Sequence, residues 1–591
     1  MSLALERVNP ITVHDPRVIQ SDRTFPVLKG GEQVLYKVYT TSSVSSSSIT
    51  FHCPPPSSNL YVDRRIHLRL PVRLTIAATT TNLMIDSKYL ISNGNVALRS
   101  FPLQKAMETV QMTINNQSMS VNIGDILSAL EHFNVSMKLR AIDYSKCASY
   151  PASYCQEFSA LHGQARSPLL PNNTVADLNV PRGGPFTVVT GGGTQTASND
   201  SPVTVIDFVS CEPLFLSPLY WGESTSNNSA FYGVKTMDFT FNFVSNAGNR
   251  MLAINPALLY TNGDVTATRA DPISTSVSFG PFAGVSPAFT YSAESTAALL
   301  FQYITPQLVD RGNAMQQVLN YPYSNIERYP TDYGAPAVAA SGLPGAAVTM
   351  NSTNVQLSSI PTKIYVFARA NNTQMQLNPY TPDSFMRLES FNMQWGNRSG
   401  LLSSASRQQL YDISVRAGCT LSYNDWAGIG QLNGSTVGTY TQATATGLIT
   451  QQYFGSGTVL AIDPIDLGLD SVDAPGKLDQ ITLQINGTWS NIGTTAMNGC
   501  TLYVVAVSAG VFTLFNGQAS SLIGILNSND ILNSHAQSGA QMLDYFATKQ
   551  IYGGGFLSDL ASNLRHMKVK RAKSAAGGSA ISRGTLRDRL Q

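Results

Sequence analysis

Charge is scarce in this chain. Asp, Glu, Lys and Arg make up 13% of its 591 residues, about half the share of an ordinary soluble domain. Ser, Thr, Asn, Gln and Gly supply the polarity instead. Such a surface repels copies of itself only weakly, which suits a protein packed against its own kind, although secreted β proteins and lectins share the trait. No apolar run reaches the ~18–20 residues that a membrane span needs. The opening residues 1–7 (MSLALER) carry no signal-peptide core, so synthesis in a host cytosol is expected. There are six cysteines (Cys53, Cys147, Cys155, Cys211, Cys419, Cys500) and no CxxC pair. They read as buried free thiols of a reducing compartment rather than zinc ligands.

The motifs of catalysis are missing too. There is no Walker A loop, GxSxG elbow, HExxH or EF-hand pattern, and the glycines near Gly428 and Gly430 open no nucleotide-binding unit. The seven histidines (His14, His52, His67, His132, His162, His535, His566) form no i,i+3 or i,i+4 pair. Asp463 and Asp466 flank Pro464 and read as turn caps, with a calcium option kept open by Asp470 and Asp473. No catalytic, cofactor or metal residue is assigned, and no small-molecule substrate is expected.

What is present is short β signal. Residues 33–39 (QVLYKVY), 66–76 (IHLRLPVRLTI), 236–243 (TMDFTFNF), 362–367 (TKIYVF), 481–485 (ITLQI) and 501–507 (TLYVVAV) are β-branched, aromatic or alternating, which predicts strands. Helix signal is confined to 123–133 and 404–415. Long polar loops fall at 172–202, 262–293 and 331–354. The fold class expected is all-β.

One pattern occurs twice. A strand at 110–114 ends at Asn115-Asn116 and leads to the helix at Ile123. A strand at 391–395 ends at Gly396-Asn397 and leads to the helix near Ser404. Upstream of each lies a similar fragment, 98–101 (LRSF) and 386–391 (MRLESF). Two copies of one β unit, about 290 residues apart, are what a tandem pair of sandwiches leaves behind.

With those residues in view, the chain resembles the double-jelly-roll major capsid proteins of virophages and Polinton-like viruses, a lineage that includes adenovirus hexons. The resemblance runs through 23–33 (RTFPVLKGGEQ), 54–65 (PPPSSNLYVDRR), 97–101, 113–116 and 125–130 (DILSAL). It continues through 322–329 (PYSNIERY), similar to the crossing between rolls, and is strongest at 391–418, followed by 423–426. It implies a double jelly roll, two tandem eight-stranded antiparallel sandwiches with short helices and long loops. The division it implies is an N-terminal arm (1–21), roll one (22–312), roll two (313–530) and a C-terminal arm with a basic tail (531–591). It also implies a homotrimer that forms pseudo-hexameric capsomers in the icosahedral virion of a double-stranded DNA virus. Its partners would be neighbouring capsomers, penton proteins and minor capsid proteins. The alternative is a carbohydrate-binding or adhesive β-sandwich with an exposed aromatic row, for which Trp395, Trp426 and Trp489 are the candidates. A jelly-roll hydrolase would need two carboxylates in a cleft, and no such pair is evident.

The tail carries its own signal. Residues 555–591 hold eight Lys or Arg and two Asp, giving +6 against −4 for the remainder. Ile551, Tyr552, Gly553, Gly554 and Gly555 fit the apolar-x-Gly-Gly pattern cut by adenovirus-type maturation cysteine proteases, with the cut after Gly554. Side-chain-free glycines let extended backbone lie deep in a narrow groove. Beyond them Phe556, Leu557, Leu560 and Leu564 fall at helical spacing, and Arg565, Lys568, Lys570, Arg571 and Lys573 follow. That amphipathic, basic segment suits DNA or a membrane surface. The plainer reading is a glycine hinge before a solvated basic tail.

Overall fold

The computed structural model describes residues 8–13, 23–28, 33–78, 96–133, 187–190, 203–219, 230–254, 260–280, 296–305, 319–428 and 456–524, less some short stretches within them. Residues 31–525 form one compact unit. The terminal segments form a second unit, in which Val8–Val13 pairs antiparallel with Arg23–Leu28.

The body holds two sets of eight principal strands. The first set runs Gln33–Thr40, Ser48–His52, His67–Ala78, Met107–Ile114, Gln117–Val121, Val203–Pro213, Met237–Phe243 and Ala298–Thr305. Numbered in chain order, they pair as first–eighth–third–sixth in one sheet and second–seventh–fourth–fifth in the other, all antiparallel. The second set runs Leu319–Tyr333, Val355–Ser359, Lys363–Ala370, Arg387–Trp395, Arg398–Leu401, Val459–Ile462, Leu478–Ser490 and Cys500–Phe515. It pairs in the same two orders. Two facing sheets wound in this order make a jelly roll, and the chain contains two.

Alternation explains the first roll. In His67–Ala78 the residues Leu68, Leu70, Val72, Leu74 and Ile76 turn inward and are buried, while His67, Arg69, Arg73 and Thr75 point outward. Met237, Phe239, Phe241 and Phe243 do the same from the opposite sheet. Each such side chain contributes roughly 1.5–3 kcal/mol by leaving water. The second roll breaks this rule. Lys363–Ala370 is buried from its second residue to its last, and Cys500–Phe515 is buried continuously over its first seven. Ile364, Val366, Ala368, Leu502 and Val504 fill the roll's own core, whereas Tyr365, Phe367, Tyr503 and Val505 join the core of the first roll. That sheet is covered on both faces, so its strands read as unbroken apolar runs.

The repeated pattern is a repeated structure. Asn115 and Gly396 open equivalent two-residue turns, with φ of +54° and +55°. Each donates its N–H to the seventh strand's side of its roll, Asn115 to the Thr236 carbonyl at 2.9 Å and Gly396 to that of Thr482 at 2.8 Å. Each turn is followed by a short strand and a helix, Ile123–Leu130 and Arg407–Arg416. The second helix begins later than its apolar spacing suggests because Ser406 and Gln409 form a capping box there. One expectation fails: residues 322–329 are no crossing between rolls. They lie inside Leu319–Tyr333, which pairs along its whole length with Cys500–Phe515 and opens the second roll.

Candidate functional site: the junction between the rolls

The segment between the third and fourth strands of the second roll reaches into the first roll. At its tip Asp383 is fully buried. Three cations of the first roll converge on it: Arg250 at 2.9 Å, Lys105 at 3.1 Å and Arg99 at 3.3 Å. Lys105 also lies 3.4 Å from buried Glu131. Arg99 donates to the carbonyls of Thr381 at 2.7 Å and Pro379 at 3.2 Å, and the Asn249 amide donates to the Gln376 carbonyl at 2.8 Å. Short helices Pro102–Ala106 and Ala247–Met251 present Lys105 and Arg250. Burial by itself raises the Asp383 carboxyl. Arg250, Lys105 and Arg99 outweigh it and hold the group well below its ordinary value.

Further contacts at both ends of the first-roll helix tie the same pair of rolls. Asp125, on the first-roll helix Ile123–Leu130, meets Arg328 and, at 3.6 Å, Arg369 of the second roll. Arg369 also donates to the Gly124 carbonyl at 3.2 Å. At the far end of the helix the Phe133 ring packs edge-on against Tyr365, and Thr420 gives both its N–H and its hydroxyl to the His132 carbonyl. Beneath the junction Glu212 accepts from the Leu103 and Gln104 N–H groups and from the Ser210 hydroxyl. Burial pushes its carboxyl up to about 7 against those donors.

This arrangement ties the two rolls together. Every carboxylate in it is engaged by cations or donors, and no group of three or more metal-binding side chains occurs among the described residues. Asp463 precedes a short 3-10 turn, Pro464–Leu467, and Asp466 lies within it and meets Arg416 at 2.7 Å. Trp395, Trp426 and Trp489 are all core residues and offer no aromatic platform. The tail residues from Ile551 through Lys573, with Gly553, Gly554, Gly555 and the amphipathic set from Phe556 to Leu564, lie outside the described residues.

Sequence reasoning did not single out Arg99, Lys105, Arg250 or Asp383. Arg99 fell inside a recognised fragment, LRSF, yet its charge amid apolar neighbours was the only local signal of burial. The other half of the site lies nearly three hundred residues away.

The sheet edges supply the other notable surface. Gln33–Thr40 is the outermost strand of its sheet, and Val34, Leu35, Tyr36 and Val38 are exposed, Tyr36 to 75%. Val34, Tyr36 and Val38 pair with Ile304, Gln302 and Leu300, so these six residues share the outer face of the first roll. The matching face of the second roll is the one buried against the first. A parallel asymmetry marks the helices: in Ile123–Leu130 every residue but Gly124 is buried, whereas Arg407–Arg416 buries only Leu410, Ile413 and Ser414 and exposes Val415.

Comparison with known proteins agrees with this architecture. The family model described as "Sputnik virophage major capsid protein 1st domain" matches residues 7–278, and "Major capsid protein V20 C-terminal domain" matches 328–510. The putative capsid protein V20 of Sputnik virophage is 28% identical over 571 residues, covering 95% of this chain and 87% of that protein. The cryo-EM structure of the Sputnik virophage superposes with a TM-score of 0.69 at 24% identity, covering 92% of this chain and 98% of its counterpart. The crystal structure of the mavirus major capsid protein gives 0.62 at 16% identity, covering 84% and 92%.

Proposed function

Because this chain belongs to the virophage major capsid proteins, we propose that it builds the shell as a homotrimer whose six jelly rolls form a pseudo-hexagonal tile. It is a structural protein of the virion and not an enzyme, in keeping with the capsid proteins it matches.

The observation that carries the trimer is the asymmetry between equivalent faces. Within one chain, the outer face of the second roll's sheet covers the helix Ile123–Leu130 of the first. In the first roll the matching face exposes Val34, Tyr36 and Val38 on its edge strand, and in the second roll the matching helix exposes Val415. Repeating the internal contact between chains covers both. Each sheet of Val34, Tyr36 and Val38 then lies on the Arg407–Arg416 helix of the next copy, and three such steps close a ring. The rolls would be residues 22–312 and 313–530, with 1–21 and 531–591 as arms toward neighbouring capsomers, penton and minor capsid proteins. Electron microscopy of the purified protein is expected to show three-fold particles with a hexagonal outline. A population of monomers at all concentrations would contradict the proposal.

We further propose that an adenovirus-type cysteine protease removes the tail after Gly554, freeing the basic segment for DNA or membrane. The apolar-x-Gly-Gly run from Ile551 supports this. Intact mass measurement of mature particles should then give a chain ending at Gly554. The full 63.6 kDa mass would remove cleavage and leave the capsid role untouched.

A further inference from the structure

A groove opens between the two rolls where Gln117–Val121 of the first faces Leu319–Tyr333 of the second. It holds a cavity of about 640 Å³, and Ser120, Asn122, Ile326, Arg328 and Tyr329 are among its lining residues. Both flanking strands are the outermost of their sheets.

Backbone direction is fixed on each rim. Ser324 donates its N–H away from its own sheet, to the Ser217 hydroxyl at 2.7 Å. Val507, opposite Ile326, gives its carbonyl to Thr362 on the other side. Even-numbered residues of Leu319–Tyr333 therefore turn their backbone groups outward, and Ile326 and Arg328 aim theirs at the groove. On the other rim the tight turn makes Ile114 and Gln117 the closing pair. Met119 and Val121 then bond inward and Ser120 outward. Two sheet edges thus face one space, each with main-chain donors and acceptors turned toward it. Edges of this kind are templates for an added strand.

The groove's charged side chains are already engaged. Arg328 pairs with Asp125, and Glu327 accepts from the Asn325 amide and the Tyr329 hydroxyl. The groups turned toward the groove are main-chain donors and acceptors, which an extended peptide matches.

We propose that this groove receives an extended, uncharged segment from a second copy of this chain, which adds a strand between the two rolls. A second copy fits because only 13% of this chain is charged and its long loops are rich in Ser, Thr, Asn and Gly. The inference rests on the self-assembly reading above and names a contact that reading does not require.

The test places a benzophenone amino acid at Ser120 of the full chain and irradiates the assembled protein. Denatured adducts of twice the 63.6 kDa chain mass are expected. Ile326→Pro removes one outward N–H and fills the groove while sparing the ladder to Cys500–Phe515. It should cut the adduct about tenfold without dispersing the trimer. Trimers that yield no such adduct, or adducts only within a chain or to an unrelated polypeptide, overturn this inference alone. Loss of all association between copies overturns the underlying reading as well.

Discussion

Asp383→Ala is expected to abolish soluble, folded protein. The substitution leaves Arg99, Lys105 and Arg250 buried together, with Glu131 beside Lys105. Breaking a buried pair by deleting one partner costs about 3–5 kcal/mol. Here one carboxylate serves three cations, and the whole fold has only about 5–15 kcal/mol in reserve. Asp383→Asn keeps the volume and separates charge from shape. It should remove nearly as much stability, read as little folded protein or a much lower thermal midpoint. Asp238→Asn provides the contrast. Its partner His52 is 58% exposed and Asp238 itself 47%, so the change should stay within about 0.5 kcal/mol. The pH dependence follows in sign. The Asp383 carboxyl is depressed in the folded state, so its contribution is full above the ordinary value of 3.8 and is lost only as pH falls through the lower folded value. Wild type should therefore hold this contribution at pH 4–5, where Asp383→Asn already lacks it. A variant as stable as wild type would show that the junction is not held by charge.

Tyr36→Asp is expected to turn the trimer into folded monomers. Tyr36 makes few contacts within its own chain, being 75% exposed, so the monomer's thermal midpoint should barely move. In the proposed trimer the side chain would sit at the centre of a contact face, where loss of an aromatic anchor costs about 2–4 kcal/mol. A carboxylate adds a desolvation penalty. In a closed ring of three the change would act at every contact. Sedimentation velocity would report one third of the wild-type mass. Val415→Arg, on the opposing helix, should do the same. A trimer that survives both substitutions would mean that its contacts lie elsewhere.

Much of the fold was legible because burial on one face leaves a period of two. The alternation in residues 66–76 and 236–243 marks strands with one wet side, and that is how they sit. The duplicated strand, turn and helix was visible because both turns need a residue that tolerates positive φ, Asn115 in one roll and Gly396 in the other. In residues 362–367 and 501–507 the strands were visible but not their partners. A run buried on both faces has no period to say that a second layer covers it. Residues 33–39 form the strand that QVLYKVY predicts, but nothing in that run says that the strand is an edge with Val34, Tyr36 and Val38 exposed. Asp383 was illegible. It sits in the irregular Thr-Pro-Asp-Ser run, and its meaning depends on Arg99, Lys105 and Arg250, which no local pattern connects to it.

The internal contact between rolls is held to be the template for the contact between chains. A cryo-EM reconstruction of the purified protein tests this directly. It should place Val34, Tyr36 and Val38 of each copy against the Arg407–Arg416 helix of the next, in the manner of the sheet that covers Ile123–Leu130 within the chain. A trimer in which that sheet face stays in solvent, or a particle with no three-fold axis, would contradict it.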